Sequence, residues 1–214
     1  MFENFRNARH IANLPNILTF FRIGLIPLMA ICLAYDGDQP PFEKDWMFRF
    51  SPGRVAAFIV IIAGISDLLD GYFARLWNVE TLLGKFLDPV ADKLFLMVGL
   101  IMLLKLERVS EYLVILLLSR ELLITALRGV AIGEGIVIAA GSSGKFKLIF
   151  QMVGLGFLMW YGSAFGLEAW KIGTIILYLA LVISLFSGFQ YLHGFFVALV
   201  EKRAERSQGG APIR

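Results

Sequence analysis

Six stretches of this chain are each long and apolar enough to cross a lipid bilayer, and no other feature limits its possible folds so strongly. A spanning helix needs about 20 mostly apolar residues, and the windows at roughly 16–35, 53–73, 86–106, 111–132, 146–166 and 171–200 meet that requirement. Hydrocarbon offers the backbone no hydrogen-bond partners, so each window is expected to be helical. The composition agrees, with 58% hydrophobic and only 17% charged residues among 214 and a mean hydropathy of +0.73, well beyond an ordinary soluble domain. The expected fold is an all-α integral membrane domain of six transmembrane helices over residues 13–203. A short interfacial segment (1–12) precedes it and a polar tail (204–214) follows it.

The first ten residues interleave Phe2 and Phe5 with Arg6, Arg9 and His10, which suits an amphipathic helix lying on the membrane surface. No cleavable signal peptide is expected, because the first apolar run follows Pro15, contains Arg22 and lacks a small-residue cleavage site before Asp36. The single cysteine, Cys32, excludes an intramolecular disulfide. A net charge of +3 and a pI of about 9.1 could suggest nucleic acid, but the cations are scattered at helix ends, which fits an anionic membrane surface and argues against a nucleic-acid partner. Arg6, Arg9, Arg75, Lys85, Arg128, Lys145, Lys147, Lys202, Arg203 and Arg206 fall on the side of the termini, against Lys44, Arg49, Arg54, Lys105, Arg108 and Lys171 on the other. That bias puts both termini in the cytoplasm. Gly129 with Gly133 and Gly162 with Gly166 read as helix-packing seams.

Of seven aspartates, Asp36, Asp38 and Asp45 lie in the loop after the first span, and Asp67, Asp70, Asp88 and Asp92 lie at the inner ends of two apolar helices. A carboxylate in a spanning helix costs about 2.5 to 3.5 kcal/mol on insertion scales and marks a functional site by default. Asp67 and Asp70 are i,i+3 and Asp88 and Asp92 are i,i+4, so each pair shares a helix face. Two such faces would form an all-oxygen cage that favours Mg²⁺ or Mn²⁺, and a pair of those ions is the usual clamp for in-line phosphoryl chemistry. Gly71, Ala74 and Gly84 leave room for a planar base or a diphosphate to approach the backbone, and Arg75 can grip a phosphate in bidentate fashion. Taken singly, Asp88 before Pro89 also reads as a helix N-cap.

The run Asp67-x2-Asp70-Gly71-x2-Ala74-Arg75-x8-Gly84-x3-Asp88-x3-Asp92 resembles the signature of the CDP-alcohol phosphatidyltransferases at every position. The resemblance implies a six-helix enzyme, usually a homodimer, in which Asp67, Asp70 and Asp88 hold two metal ions and Asp92 also serves as general base. It further implies that Gly71, Arg75 and Thr81 contact CDP-diacylglycerol. LPNILTFFRIGLIP, with Asn16, Thr19 and Arg22, together with SRELLITALR and GKFKLIFQM, is similar to the phosphatidylglycerophosphate-forming branch, which implies glycerol 3-phosphate as acceptor and assigns Asn16 and Thr19 to the CDP-lipid site. Leu148 departs from the threonine expected there.

Arg120, Arg128, Lys145 and Lys147 lie in or beside apolar helices, where unpaired cations are costly. Glu121 is spaced to pair with Arg128, yet one glutamate cannot neutralise four cations, and a dianionic acceptor phosphate would. His193 reads as a packed or interfacial histidine. Other acceptors (inositol phosphate, serine, phosphatidylglycerol) would use the same chemistry. A divalent-cation transporter is the alternative from another class, but it would place carboxylates near mid-bilayer and often in duplicated halves. The expected location is the inner (cytoplasmic) membrane, with the active site facing the cytoplasm.

Overall fold

The computed structural model describes residues 14–37, 51–77, 82–136, 143–160, 162–164 and 166–208. For 14–16, 37, 70–77, 82–83, 85–86, 143–145, 163–164 and 205–208 it describes the backbone alone. The expected interfacial helix over 1–12 lies outside the described residues. Six helices follow in order: α1 Leu14–Gly37, α2 Pro52–Trp77, α3 Leu82–Lys105, α4 Glu111–Gly133, α5 Ser143–Trp160 and α6 Ala169–Gln208. Between α5 and α6 a two-residue antiparallel ladder pairs Ser163 with Glu168 and Ala164 with Leu167, a hairpin the hydropathy pattern does not signal.

Among the described residues, three helices are long and apolar enough to cross a membrane: Ile17–Asp36 in α1, Pro52–Leu69 in α2 and Ala169–Ala204 in α6. Phe146–Trp160 in α5 is a shorter apolar stretch. The architecture is that of an all-α membrane protein. Helices α3 and α4 have 24 and 23 residues, about 35 Å at 1.5 Å per residue, so length does not set them apart. Charge does: α3 carries Asp88, Asp92 and Lys93 in its first half, and α4 carries Arg120, Glu121 and Arg128. The groups that mark candidate sites are the ones that dilute these two apolar windows.

The chain divides into two compact units. The first comprises α1, α2, α3, the second half of α5 from Gln151, the hairpin and α6 as far as Leu177. In it α1 packs against both α2 and α3. Thr19, Arg22, Leu25, Met29 and Leu33 are all buried, and their spacing of three or four residues makes one stripe along α1. Ile17, Phe21, Leu28, Ile31 and Tyr35 are exposed on the same helix, which suits a chain whose solvent is lipid. Ala56, Ala57, Ala63 and Ser66 are buried on α2, small side chains that permit close helix approach.

The glycine seams fall elsewhere than at the spaced pairs in the sequence. A Cβ on Gly129 or Gly133 would meet nothing within 4 Å among the described residues, and Gly166 (φ +79°) belongs to the hairpin turn. The close crossing is between α5 and α6. A Cβ on Gly154 would lie 2.8 Å from Leu177, and one on Gly173 would lie 2.9 Å from the Gly154 carbonyl and 2.8 Å from Leu158. The two glycines come from different helices, so no spacing along the chain relates them.

Away from the aspartate end, the first unit is tied by Asp36, in the last turn of α1. Its carboxylate accepts from the Gly53 amide at 2.8 Å and from Arg108 at 2.5 Å, and Arg108 also donates to the Met159 carbonyl at 3.5 Å. Ser51 caps α2, its hydroxyl accepting from the Arg54 amide, with Pro52 at the first helical position. The Arg54 guanidinium lies 5.4 Å from the Trp160 ring centre. Asp36, read from the sequence as part of an acidic loop, is a helix-end anchor.

The second unit comprises α4, the first half of α5 and α6 from Tyr178. Ala131, Ile136 and Phe195 form a buried cluster, with Leu127, Ala198 and Leu199 against it. Gly135 (φ +67°) ends α4, its amide bonded to the Ile132 carbonyl and the Ile136 amide to the Ala131 carbonyl, the paired contacts of a Schellman stop.

Candidate active site

Helices α2 and α3 carry the four signature aspartates: Asp67 and Asp70 on α2, Asp88 and Asp92 on α3. Pro89, in the second turn of α3, removes an amide donor where few intrahelical partners exist, so the helix runs through the motif unbroken. What brings three of the four together is α1. The Nη1 of Arg22 lies 3.0 Å from an Asp67 oxygen and 2.6 Å from an Asp92 oxygen. The Thr19 hydroxyl donates to Asp88. Thr19 and Arg22 are i,i+3, so one face of α1 meets carboxylates from both neighbouring helices.

Burial makes this arrangement costly to disrupt. Arg22 is 0% exposed and Thr19 1%, whereas the Asp67 and Asp92 side chains are 28% and 22% exposed. The carboxylates thus keep a route to solvent and the guanidinium behind them does not. Removing one partner from such a buried set leaves an uncompensated charge, typically at a cost of about 3–5 kcal/mol. In the sequence Arg22 stands out as an arginine inside an apolar run and as part of the motif shared with the family, with no site role attached to it. Its spacing from Thr19, on a helix too apolar to bury a lone charge, was the available signal.

Asp70 sits on α2 three residues beyond Asp67, with Gly71, Ala74 and Arg75 in the next turns of the same helix, and Asn16 lies in the first turn of α1. The side chains of these five lie outside the described residues, as does Thr81 altogether. Gly84 is buried near the start of α3. Among the described residues no group of three or more histidine, cysteine or carboxylate side chains is assembled to hold a metal. Among the described residues the donors gathered here, Asp67, Asp88 and Asp92, offer only oxygen, the donor type that suits a hard cation.

The expected basic pocket belongs to the second unit. Arg120 donates through Nε to the Ser184 carbonyl at 2.8 Å and through Nη2 to the Ser187 hydroxyl at 2.7 Å. A Cβ on Gly188 would lie 3.1 Å from its Nε, so glycine leaves space for the guanidinium. Glu121 accepts from Lys147 and, at 3.3 Å, from Arg120. The pairing of Glu121 with Arg128 suggested by spacing is superseded: Arg128 is exposed and its guanidinium stands 5.6 Å from the Tyr191 ring centre. Lys147 is 7% exposed. Lys145 lies in the first turn of α5, its side chain outside the described residues. Glu121 thus brings Arg120 and Lys147 together at one carboxylate.

Comparison with known proteins identifies the family. The family model described as CDP-alcohol phosphatidyltransferase matches residues 12–186. A Bacillus subtilis (strain 168) protein named CDP-diacylglycerol–glycerol-3-phosphate 3-phosphatidyltransferase is 36% identical over 179 residues, covering 84% of this chain and 93% of the relative. Proteins of the same name from Haemophilus influenzae and Rickettsia felis are 36% and 34% identical, each over 84% of this chain and over 91% and 93% of their own lengths. The match runs from α1 through the aspartates of α2 and α3 into α6, and this chain belongs to the CDP-alcohol phosphatidyltransferase family.

Proposed function

We propose that this protein transfers the phosphatidyl group of CDP-diacylglycerol to glycerol 3-phosphate, forming phosphatidylglycerophosphate and releasing CMP. The observation that carries the reading is the convergence of Asp67 and Asp92, from two helices, on one cationic point, with Asp88 held beside them by Thr19. The acceptor is supported by the names of the relatives and by the gathering of Arg120 and Lys147 at Glu121, cations of the kind that recognise a phosphate.

Asp67, Asp70, Asp88 and Asp92 would hold two Mg²⁺ or Mn²⁺ ions. Those ions supply charge neutralisation for the diphosphate when bound. Asp92 takes the proton of the acceptor's primary hydroxyl onto a carboxylate oxygen, and the hydroxyl oxygen forms the new bond to the β-phosphorus. The bond from that phosphorus to the bridging oxygen breaks, and its electron pair leaves on CMP. Arg75 grips the lipid's phosphate, with Gly71, Ala74, Thr81, Gly84, Asn16 and Thr19 lining the CDP-lipid site. Arg120, Arg128, Lys145 and Lys147 take the acceptor phosphate, a reading supported by the fixed position of the Arg120 guanidinium against Ser184 and Ser187. The protein acts as a homodimer with six spans in the inner membrane, its termini and active site at the cytoplasmic face.

The test is CMP release from CDP-diacylglycerol by the purified full-length protein, offered glycerol 3-phosphate, inositol phosphate, serine or phosphatidylglycerol in turn. Release should require glycerol 3-phosphate, disappear in EDTA and return with millimolar Mg²⁺ or Mn²⁺. Release with another acceptor alone would reassign the substrate, and full activity in EDTA would remove the metal from the reaction.

A further inference from the structure

Arg22 is an unusual residue for the middle of a helix pair. It is completely buried, on a helix whose other buried positions are almost all apolar, and one nitrogen of its guanidinium reaches carboxylates on both α2 and α3. Two carboxylates drawn to one point repel each other unless a positive charge lies between them. A guanidinium taken out of water is costly unless such partners receive it. Each group therefore solves the other's problem. The point between Asp67 and Asp92 that attracts Nη1 is also the point at which a divalent cation gains most from the same two oxygens. Both cannot hold it at once, because their own charges repel at that distance.

We propose that Arg22 is a resident counter-cation of the aspartate cluster. It holds Asp67 and Asp92 in place while no metal is bound, and it competes with the divalent cation for their oxygens. It is a positioning residue that sets how tightly metal binds, and metal entry shifts the guanidinium off at least one carboxylate. The inference rests on the reading of the aspartates as metal ligands given above.

Competition has a signature that ordinary structural support lacks. Losing a supporting residue weakens metal binding or leaves it unchanged. Losing a competitor strengthens it, although the metal-free protein becomes less stable. Mn²⁺ binding should be titrated by electron paramagnetic resonance on the full-length protein in detergent, in wild type, Arg22→Gln, Arg22→Lys and Asp67→Asn, with melting measured in EDTA and in Mg²⁺. Arg22→Gln should bind Mn²⁺ at least about tenfold more tightly than wild type, since one unit charge within a few ångströms of the site is removed. It should also melt lower in EDTA and gain more from Mg²⁺. Arg22→Lys keeps the charge but loses the planar fork, so it should bind Mn²⁺ more tightly than wild type by a smaller factor. If Arg22→Gln does not fold, Arg22→Lys decides alone. Equal or weaker Mn²⁺ binding in the folded Arg22 variants, with wild type binding and Asp67→Asn impaired, would overturn the counter-cation and leave the metal reading intact. No Mn²⁺ binding in wild type would overturn both.

Discussion

Asp67 and Asp92 share one arginine nitrogen, yet substitution should separate their roles. Asp92→Asn keeps the side chain's shape and one oxygen but removes its basic charge. General-base catalysis is worth about 10² to 10⁴ in rate, so kcat should fall by at least about a hundredfold while affinity for CDP-diacylglycerol changes less. Asp67→Asn should instead weaken metal binding, with activity partly recovered by excess Mg²⁺. If excess metal rescues both variants equally, Asp92 is only a ligand. The aspartates and their pairing along each helix were legible because helical spacing maps sequence onto a face. Arg22's part was not, because its partners are 45 and 70 residues away, and nothing local in the chain reveals which helix faces meet.

At the scale of elements, the crossing of α5 and α6 at Gly154 and Gly173 is a steric fit that one methyl group tests. Gly173→Ala would place its Cβ 2.9 Å from the Gly154 carbonyl and 3.0 Å from the Leu158 amide nitrogen, both backbone atoms, so the helices must separate. Overpacking of this kind costs about 1–3 kcal/mol, and thermal unfolding in detergent should register the loss. Gly129→Ala meets nothing within 4 Å among the described residues and should be neutral or up to about 1 kcal/mol stabilising. A matching loss at Gly129 would restore the seam that sequence spacing suggested. Helix identity was readable throughout from apolar runs. Helix contact was not, since lipid-facing and protein-facing positions in such a chain are equally apolar. The same ambiguity hid the hairpin at Ser163–Glu168, whose four residues carry no alternation long enough to register.

For the molecule as a whole, the membrane class was legible in hydropathy and the family in the signature spacing. Among the described residues three helices, against six apolar windows, are long and apolar enough to span, because charged residues dilute α3 and α4 and the apolar stretch of α5, Phe146–Trp160, is short. Helix α1 organises the first unit at both ends. Thr19 and Arg22 fasten one end to the aspartates, and Asp36 fastens the other to Gly53 and Arg108. From Arg22 to Asp36 is fourteen residues, about 21 Å of helix. Between these fastenings lies Pro27, which has no amide proton to offer the Ile23 carbonyl. A beam clamped at both ends and notched between them flexes at the notch. Breathing of α1 should therefore concentrate in the turn from Ile23 to Pro27, whatever load the active-site end bears. Hydrogen–deuterium exchange should show peptides over that turn exchanging ahead of those at either clamp. Exchange spreading inward from the Asp36 end would mean that this clamp, rather than the proline, is the yielding point.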